Sequence, residues 1–371
     1  MKVLYLSKAL VVGAYQTKME AIATAPGVEI VVAVPASWKD ERGEMKLERA
    51  HTKGYELHIV PMMFNGSFHA HFYPTIGKLL DEVQPDLFHI DEEAYNWATF
   101  HAAWLAHRRG IPFLFFTWQN LLRHYPPPFR WMEQWIYRHA ASAIAGNESA
   151  SDVLAQKGYE GRSVVIPQFG VDLQLFEMQI RRREPSDPII FGYAGRLVQE
   201  KGLHILLEAL AQLEPTAWRF HVRGSGPAKE PLLTQAQRLG VTDQLSFKPP
   251  IASTSMSEFY HEIDVFVLPS LTKANWKEQF GRVLVEAMAS GAVVVGSDSG
   301  EIPNVIGDAG LIVPEGDVDN LCGALRLLLN DIPLCRKLAI SGRQRVLDHF
   351  TQEAIAQQTI KVYQKILKSK I

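Results

Sequence analysis

Short apolar segments with strand character alternate with helical patterns along the chain, and they do so in two successive series. Examples of the apolar segments are residues 29–35, 112–118, 163–167 and 218–222. Alternation of this kind predicts parallel sheets whose strands are joined by crossover helices. Residues 178–188, which are rich in Pro, Arg and Glu, separate the two series and are predicted to form a linker. The sequence therefore predicts two Rossmann-like α/β domains.

The composition is that of a soluble enzyme large enough for two hydrophobic cores. The chain has 371 residues, 47% of them hydrophobic and 21% charged, and its net charge of −2 gives no general attraction for nucleic acid. No apolar run approaches the roughly 20 residues that a bilayer span requires. Residues 1–6 are followed by Ser7 and Lys8, a pattern that favours a first buried strand over a signal peptide.

The two cysteines, Cys322 and Cys335, each lie in a stretch with a helical pattern. Two separated cysteines predict neither a disulfide framework nor a clustered zinc site. A reducing compartment is the natural interpretation, so the sequence predicts a cytoplasmic protein.

Two glutamates, Glu278 and Glu286, stand eight positions apart in a segment that runs into an apolar helix ending near Gly291. In one continuous helix they would diverge by roughly 80°, so a loop followed by a helix is the better prediction. Glu278 would precede the helix, the amides of Phe280 and Gly281 would open its N-terminus, and Glu286 would lie in its early turns. Carboxylates suit sugar or ribose hydroxyls, and free helix amides suit a phosphate. The alternative is that both glutamates are ordinary solvated helix residues.

A second pattern combines an apolar strand, residues 189–194, with a basic loop that carries Arg196 and Lys201. Ligands of open α/β sheets collect at the carboxyl ends of strands, where both cations would emerge. A planar guanidinium and a compact ammonium could together neutralise a diphosphate. The alternative is a solvated turn with two cations.

Together these segments resemble the retaining glycosyltransferase family 4, in which a Gly-Arg-Leu-x-x-x-Lys-Gly loop precedes a Glu-x7-Glu motif. Further similarity covers residues 167–172, 264–270 and 300–303, so the resemblance is strong from about residue 143 onward and lies mainly in layout before that. It implies the GT-B fold, with two Rossmann-like domains facing each other across an interdomain cleft. Residues 1–177 with a returning helix at 351–371 would form the acceptor domain, and residues 189–350 the donor domain.

The resemblance also implies roles for individual residues. Arg196 and Lys201 would bind the donor diphosphate, Glu286 the ribose, and Glu278 the transferred sugar. Gly13 lies where the family has a phosphate-binding glycine loop, although this chain lacks the usual adjacent glycines. The implied donor-binding residues are Gly13, Gly195, Arg196, Lys201, Glu278, Phe280, Gly281 and Glu286, and the implied catalytic ones are Glu278, Arg196 and Lys201.

Two features of the first half are expected to contact the sugar or the acceptor. Gln119 stands where many family members have a histidine; it can form hydrogen bonds but does not titrate near neutral pH, and we expect it to position a ligand. Three consecutive acids, Asp91, Glu92 and Glu93, follow an apolar strand, so one of them could orient or deprotonate an acceptor hydroxyl. The alternative for the acids is a solvated turn.

Basic and aromatic residues are interleaved in residues 121–138. This composition suits an interfacial segment, with aromatics at the headgroup boundary and arginines on anionic phosphates. It predicts peripheral contact with the inner face of the membrane and a lipid-linked acceptor. The alternative is that the aromatics pack in the core and leave a solvated basic edge.

Asp317-Val318-Asp319 has the form of a metal-binding Asp-x-Asp motif, but it directly precedes a predicted helix. Helix capping explains these aspartates more simply, so we expect no essential metal or other cofactor. By resemblance, the protein would transfer a sugar from a nucleotide-diphosphate sugar to a hydroxyl acceptor with retention of configuration, in glycan, glycolipid or polysaccharide biosynthesis. UDP, GDP and ADP conjugates are all compatible donors. The alternatives are a GT-B sugar-nucleotide epimerase or hydrolase, and a non-catalytic nucleotide-sugar-binding subunit.

Overall fold

A computed structural model of the protein describes residues 1–40, 43–181, 184 and 187–368. The chain divides into two compact units, Met1–Gly170 with the segment from Gln352 onward, and Val171–Thr351. Residues 171–177, which the sequence assigned to the first domain, therefore lie in the second unit, because Phe176 is buried in its core and the Val171 amide donates to Phe350 O at 2.9 Å. Residues 182, 183, 185 and 186 of the predicted linker and 369–371 of the predicted last helix lie outside the described residues.

The first unit is built around a parallel sheet. Its strands are β1 (Lys2–Leu6), β2 (Glu29–Val34), β3 (Ser37–Asp40), β4 (Gly43–Lys46), β5 (Glu56–Ile59), β6 (Leu87–Ile90), β7 (Phe113–Thr117), β8 (Ser142–Ala145) and β9 (Ser163–Val165). The helices between them are α1 (Thr17–Ala23), α2 (Ile76–Val83), α3 (Trp97–His107), α4 (Phe129–His139) and α5 (Glu148–Gln156). Seven strands pair in the order β5-β2-β1-β6-β7-β8-β9, and β3 pairs antiparallel with β4.

The second unit repeats this plan with six parallel strands. They are β10 (Ile189–Ala194), β11 (Trp218–Arg223), β12 (Leu245–Lys248), β13 (Val265–Leu268), β14 (Val293–Ser297) and β15 (Leu311–Val313). Its helices are α6 (Leu203–Leu210), α7 (Lys229–Leu239), α8 (Met256–Glu262), α9 (Arg282–Ser290), α10 (Ile302–Ile306), α11 (Val318–Asn330) and α12 (Ile332–His349). The strand order is β12-β11-β10-β13-β14-β15.

Both sheets reverse their strand order at one point, next to their first strand. In the first unit this point lies between β1 and β6, and in the second it lies between β10 and β13. At such a reversal the loops after two neighbouring strands diverge and leave a crevice at the carboxyl edge of the sheet. The two switch points therefore mark where each unit is best shaped to hold a ligand.

The last helix, α13 (Gln352–Lys368), belongs to the first unit. Its apolar side chains Ile355, Val362, Tyr363 and Ile366 pack in one buried cluster with residues of β1, β6, β7 and β8. The Gln352 side chain bonds both the N–H and the C=O of Gly170 at 3.1 Å. The helix thus covers one face of the first sheet.

The central strands β6, β7, β8, β13 and β14 are buried on both faces, as expected for parallel sheets covered by crossover helices. Val3, Leu4, Tyr5 and Leu6 of β1 are fully buried, which confirms the predicted first strand. Cys322 lies in α11 and Cys335 in α12, and the two do not form a disulfide bond. Among the described helices, none has the length and apolarity needed to cross a bilayer.

Candidate active site

At the switch point of the second unit, the loop after β10 carries the predicted cations. Arg196 is exposed, and its backbone carbonyl accepts a 2.9 Å bond from the Tyr193 hydroxyl. Lys201 ends a short 3-10 turn and is followed by Gly202, whose φ is +68°. A Cβ on Gly202 would lie 1.8 Å from the Pro269 carbonyl oxygen, so only glycine lets this loop pack against the end of β13.

That close packing brings Lys201 to the first glutamate of the motif. Lys201 Nζ lies 2.6 Å from Glu278 Oε2, with side-chain exposures of 18% and 12%. The Ser270 hydroxyl donates to the same oxygen at 3.1 Å. A cation and a carboxylate are therefore held side by side, largely shielded from water, at the carboxyl edge of the sheet.

The second glutamate lies in α9, as the loop-then-helix prediction requires. Gly281 is the N-cap of this helix with φ +73°, and Glu286 is its fifth residue. Arg282 Nε donates to Glu286 Oε1 at 2.8 Å and the Tyr260 hydroxyl donates to Oε2 at 3.0 Å. Burial raises the pKa of Glu286, although both partners oppose the shift. The Phe280 ring lies next to the Phe350 ring in an edge-to-face arrangement, with the ring centroids 5.8 Å apart.

One neighbour of this site was not singled out from the sequence. The Trp276 ring centroid lies 4.8 Å from Lys201 Nζ. Trp276 stands two residues before Glu278, in a polar loop. A tryptophan in a polar loop is unusual, and it could have marked Trp276 as a candidate site residue. Its contact with Lys201 could not be predicted, because the two residues are 75 positions apart in the sequence.

In the first unit, Gly13 follows β1 but its amide already has a partner. Gly13 N–H donates to Glu48 Oε2 at 2.7 Å, and a Cβ on Gly13 would lie 2.8 Å from that oxygen. The buried Gln16 side chain holds the same segment through the carbonyl of Glu48 and the amides of Ala50 and His51. The Gly13 amide, which was expected to bind a phosphate, thus already donates its hydrogen bond to the Glu48 carboxylate.

Two of the three consecutive acids are deeply buried at the switch point of the first unit. Asp91 Oδ2 accepts from the Ser7 hydroxyl at 2.6 Å and from Gln168 Nε2 at 2.9 Å, and burial raises its pKa. Glu92 forms an ion pair with Lys8 and accepts a 3.1 Å bond from the Tyr73 hydroxyl. Burial opposes ionisation of Glu92, but Lys8 and His71 overcome it and lower its pKa to about 2.

The third acid, Glu93, is only half-buried and connects two strands. Its oxygens accept 2.7 Å bonds from the Thr117 hydroxyl and the Trp118 amide at the end of β7. Burial raises its pKa to about 7, against the lowering effect of those two donors. The structure therefore excludes a plain solvated acidic turn, since each of the three carboxylates has defined partners.

Gln119 is 8% exposed and belongs to a buried polar network. Its Nε2 donates to Arg123 O at 3.3 Å and its Oε1 accepts from Lys157 Nζ at 3.1 Å. Lys157 also forms an ion pair with Glu133, and the two side chains are 4% and 5% exposed. The network fixes the orientation of Gln119, and neither Lys157 nor Glu133 was singled out from the sequence.

Residues 121–138 contain both inward and outward side chains. Met132, Ile136 and Tyr137 of α4 are buried in the first unit, as the core-packing alternative predicts. Leu122 and Trp131 are 47% and 64% exposed, and Arg123 and Arg130 are exposed beside them in sequence. Some side chains of this segment therefore pack in the core of the first unit, and others expose apolar and basic groups at the surface.

The candidate metal motif is a helix cap. Asp317 is the N-cap of α11, and its Oδ1 accepts from the Asn320 amide at 2.9 Å. Asp319 lies in the first turn of that helix. Throughout the described ranges, no group of three His, Cys, Asp or Glu side chains is arranged to hold a metal ion.

Two family models match the chain. The model described as Glycosyl transferases group 1 matches residues 176–345, and the model described as Glycosyltransferase Family 4 matches residues 23–175. Together they cover the site residues of both units, apart from the loop at Gly13.

Sequence identity to individual relatives is low. The chain is 29% identical to the glycogen synthase of Mycobacterium tuberculosis, over 62% of this chain and 56% of that protein. It is 29% identical to the D-inositol 3-phosphate glycosyltransferase of Streptomyces bingchenggensis, over 76% and 67% of the two chains. The chain thus spans little more than half the length of the first of these relatives.

Among solved structures, HepE of Anabaena in complex with UDP shares the fold with a TM-score of 0.70. The two chains are 21% identical, and the likeness covers 98% of this chain and 100% of HepE. The fold is GT-B, as the sequence resemblance implied. With family models on both halves and this fold, the chain belongs to the group 1 glycosyltransferases of glycosyltransferase family 4.

Proposed function

We propose that the protein transfers a sugar from a nucleotide-diphosphate sugar to a hydroxyl acceptor, with retention of configuration, in glycan, glycolipid or polysaccharide biosynthesis. The observation that carries this proposal is the Lys201–Glu278 pair at the switch point of the second unit, where the loop after β10 also carries Arg196. A diphosphate needs cations and a sugar needs hydrogen-bond acceptors, and this site offers both within one crevice. The proposal is supported by HepE, which shares the fold and was solved in complex with UDP.

Departure of the nucleoside diphosphate is the electrostatic problem that the reaction must solve. Arg196, Lys201 and the backbone amides of Phe280 and Gly281 at the start of α9 would stabilise the growing negative charge. Glu278 Oε2 accepts hydrogen bonds from Lys201 and Ser270. Oε1 has no partner within the described residues, so it can accept a hydrogen bond from a sugar hydroxyl. Each oxygen of Glu286 has a second lone pair for a ribose hydroxyl.

Binding of the donor nucleotide can be measured through stability. We expect UDP, GDP or ADP to raise the midpoint of thermal unfolding, because a ligand of the folded state at 100 times its dissociation constant adds roughly 2.7 kcal/mol. The shift should be lost in Arg196→Ala and unchanged in EDTA, since we propose that no metal is required. If no nucleotide stabilises the wild type, or if EDTA abolishes a shift that magnesium restores, the corresponding proposal is wrong.

We also propose that the protein works in the cytoplasm at the inner face of a membrane, on a lipid-linked acceptor. The exposed Trp131 and Leu122 would enter the headgroup region, and Arg123 and Arg130 would meet lipid phosphates. We expect binding to phosphatidylglycerol vesicles at low salt, weakened about tenfold in a Trp131→Ala, Arg130→Ala double variant. Ile340→Ala, which removes a side chain that is 54% exposed on α12, serves as the control. Equal binding of all three proteins, or none, would show that this surface does not contact membranes.

A further inference from the structure

The Lys201 ammonium has two neighbours of different kinds. Glu278 Oε2, at 2.6 Å, neutralises its charge, whereas the Trp276 ring, with its centroid at 4.8 Å, attracts the cation through the electron-rich face of the indole. An aromatic face adds no formal charge. The contact with Trp276 therefore holds the ammonium without neutralising its charge.

Trp276 is itself held in place. Lys273 N–H donates to Trp276 O at 2.7 Å and Trp276 N–H donates to Lys273 O at 3.2 Å, which closes a tight turn. The start of the loop is bonded to the Lys201 loop, because Leu271 N–H donates to Glu200 O at 2.7 Å. The Thr272 hydroxyl lies 2.9 Å from that of Ser299. The backbone that carries the indole is thus bonded to the loop that carries Lys201.

A flexible lysine loses side-chain entropy when a ligand immobilises it, and this loss weakens binding. A lysine whose ammonium already contacts an aromatic ring has lost part of that freedom before the ligand arrives. We propose that Trp276 is a positioning residue that holds the Lys201 ammonium ready for the diphosphate of the donor. This inference rests on the proposed function, because it assigns Lys201 the same anionic ligand.

The test is a double-mutant cycle between positions 276 and 201. The probe is whichever of UDP, GDP and ADP binds the wild type most tightly, and the readout is its dissociation constant by calorimetry. We expect Trp276→Leu to raise this constant about three- to tenfold, Trp276→Phe to raise it less, and Trp276→Leu to have no further effect in a Lys201→Met background. Trp104→Leu is the matched control, since Trp104 is 38% exposed and stacks on the Arg108 guanidinium at 5.0 Å in the other unit.

Each outcome decides between explanations. If Trp276→Leu weakens binding equally with and without Lys201, Trp276 acts on the ligand or on the fold directly and the inference is wrong. It is also wrong if Trp276→Leu binds the probe as well as the wild type does. If the wild type binds none of the three nucleotides, the proposed function fails and this inference fails with it.

Discussion

Replacing Arg196 or Lys201 with alanine is expected to lower turnover at saturating donor about 100- to 1,000-fold, the usual effect of removing one group that stabilises developing charge. Arg196 is exposed and supports no other side chain among the described residues, so its removal should leave the fold intact. Lys201 pairs with Glu278, so Lys201→Ala also leaves a carboxylate near the site of the departing diphosphate. We therefore expect Lys201→Ala to have the larger effect.

The measurement is the steady-state rate of transfer, or of donor hydrolysis when no acceptor is supplied. Arg238→Ala, which removes an exposed arginine from the last turn of α7, is the matched control for charge. Thermal unfolding of each variant separates lost catalysis from lost stability. Near-normal turnover at saturating donor in both Arg196→Ala and Lys201→Ala would refute the assignment of these cations.

Glu93→Gln is expected to lower turnover about 100- to 10,000-fold, the range for loss of a general base. Of the three consecutive acids, Asp91 and Glu92 are buried in fixed contacts, and we propose that Glu93 is the one that meets the acceptor hydroxyl. Its donors, the Thr117 hydroxyl and the Trp118 amide, fix its orientation, and each oxygen keeps a second lone pair. Gln119→Ala should lower turnover less, about tenfold, because we propose that Gln119 positions a ligand and takes no proton.

The pH dependence gives a second readout for Glu93. A base works when ionised, so with a pKa of about 7 turnover should rise with pH up to about 7 and then level off. This rise of turnover with pH should be absent in Glu93→Gln and present in Gln119→Ala. It should also be present in Glu82→Gln, the control, because Glu82 is an exposed acid of α2. A wild-type profile without this rise, or a Glu93→Gln variant with full activity, would contradict the proposal.

The same pKa predicts an effect on stability that does not depend on catalysis. The unfolded carboxyl ionises near its ordinary value of 4.5, and the folded one near 7. Between these values the folded state binds the proton more tightly, so this group makes the free energy of unfolding fall as pH rises from about 4.5 to about 7. This decrease in the free energy of unfolding should be smaller in Glu93→Gln.

The local features of the donor side could be predicted from the sequence because they depend on neighbouring residues. The eight-residue spacing of Glu278 and Glu286 predicted a loop followed by a helix, and α9 begins at Arg282 after the left-handed Gly281. Asp317 was predicted to cap a helix and does so. Periodicity and capping act over a few residues, and a sequence displays them directly.

The partners of the site residues could not be predicted because they are distant in the chain. Lys8 pairs with Glu92 across 84 residues, and Lys157 reaches Gln119 across 38. Glu48 reaches the Gly13 amide from a segment with no motif of its own. Such pairs depend on strand order and on how loops cross the carboxyl edge of a sheet, and apolar periodicity does not encode them.

The place of α13 has a consequence for how the protein is made. The first sheet is synthesised early, but the helix that covers one of its faces leaves the ribosome only after the whole second unit. Until then Val3, Leu87, Leu114 and Ile144 lack their cover on that face. The second unit can complete its core first, and the first unit must wait with apolar surface that a chaperone could hold. A fragment ending at residue 170 would keep that surface permanently, so the first unit should be expressed with residues 352–368 joined to it.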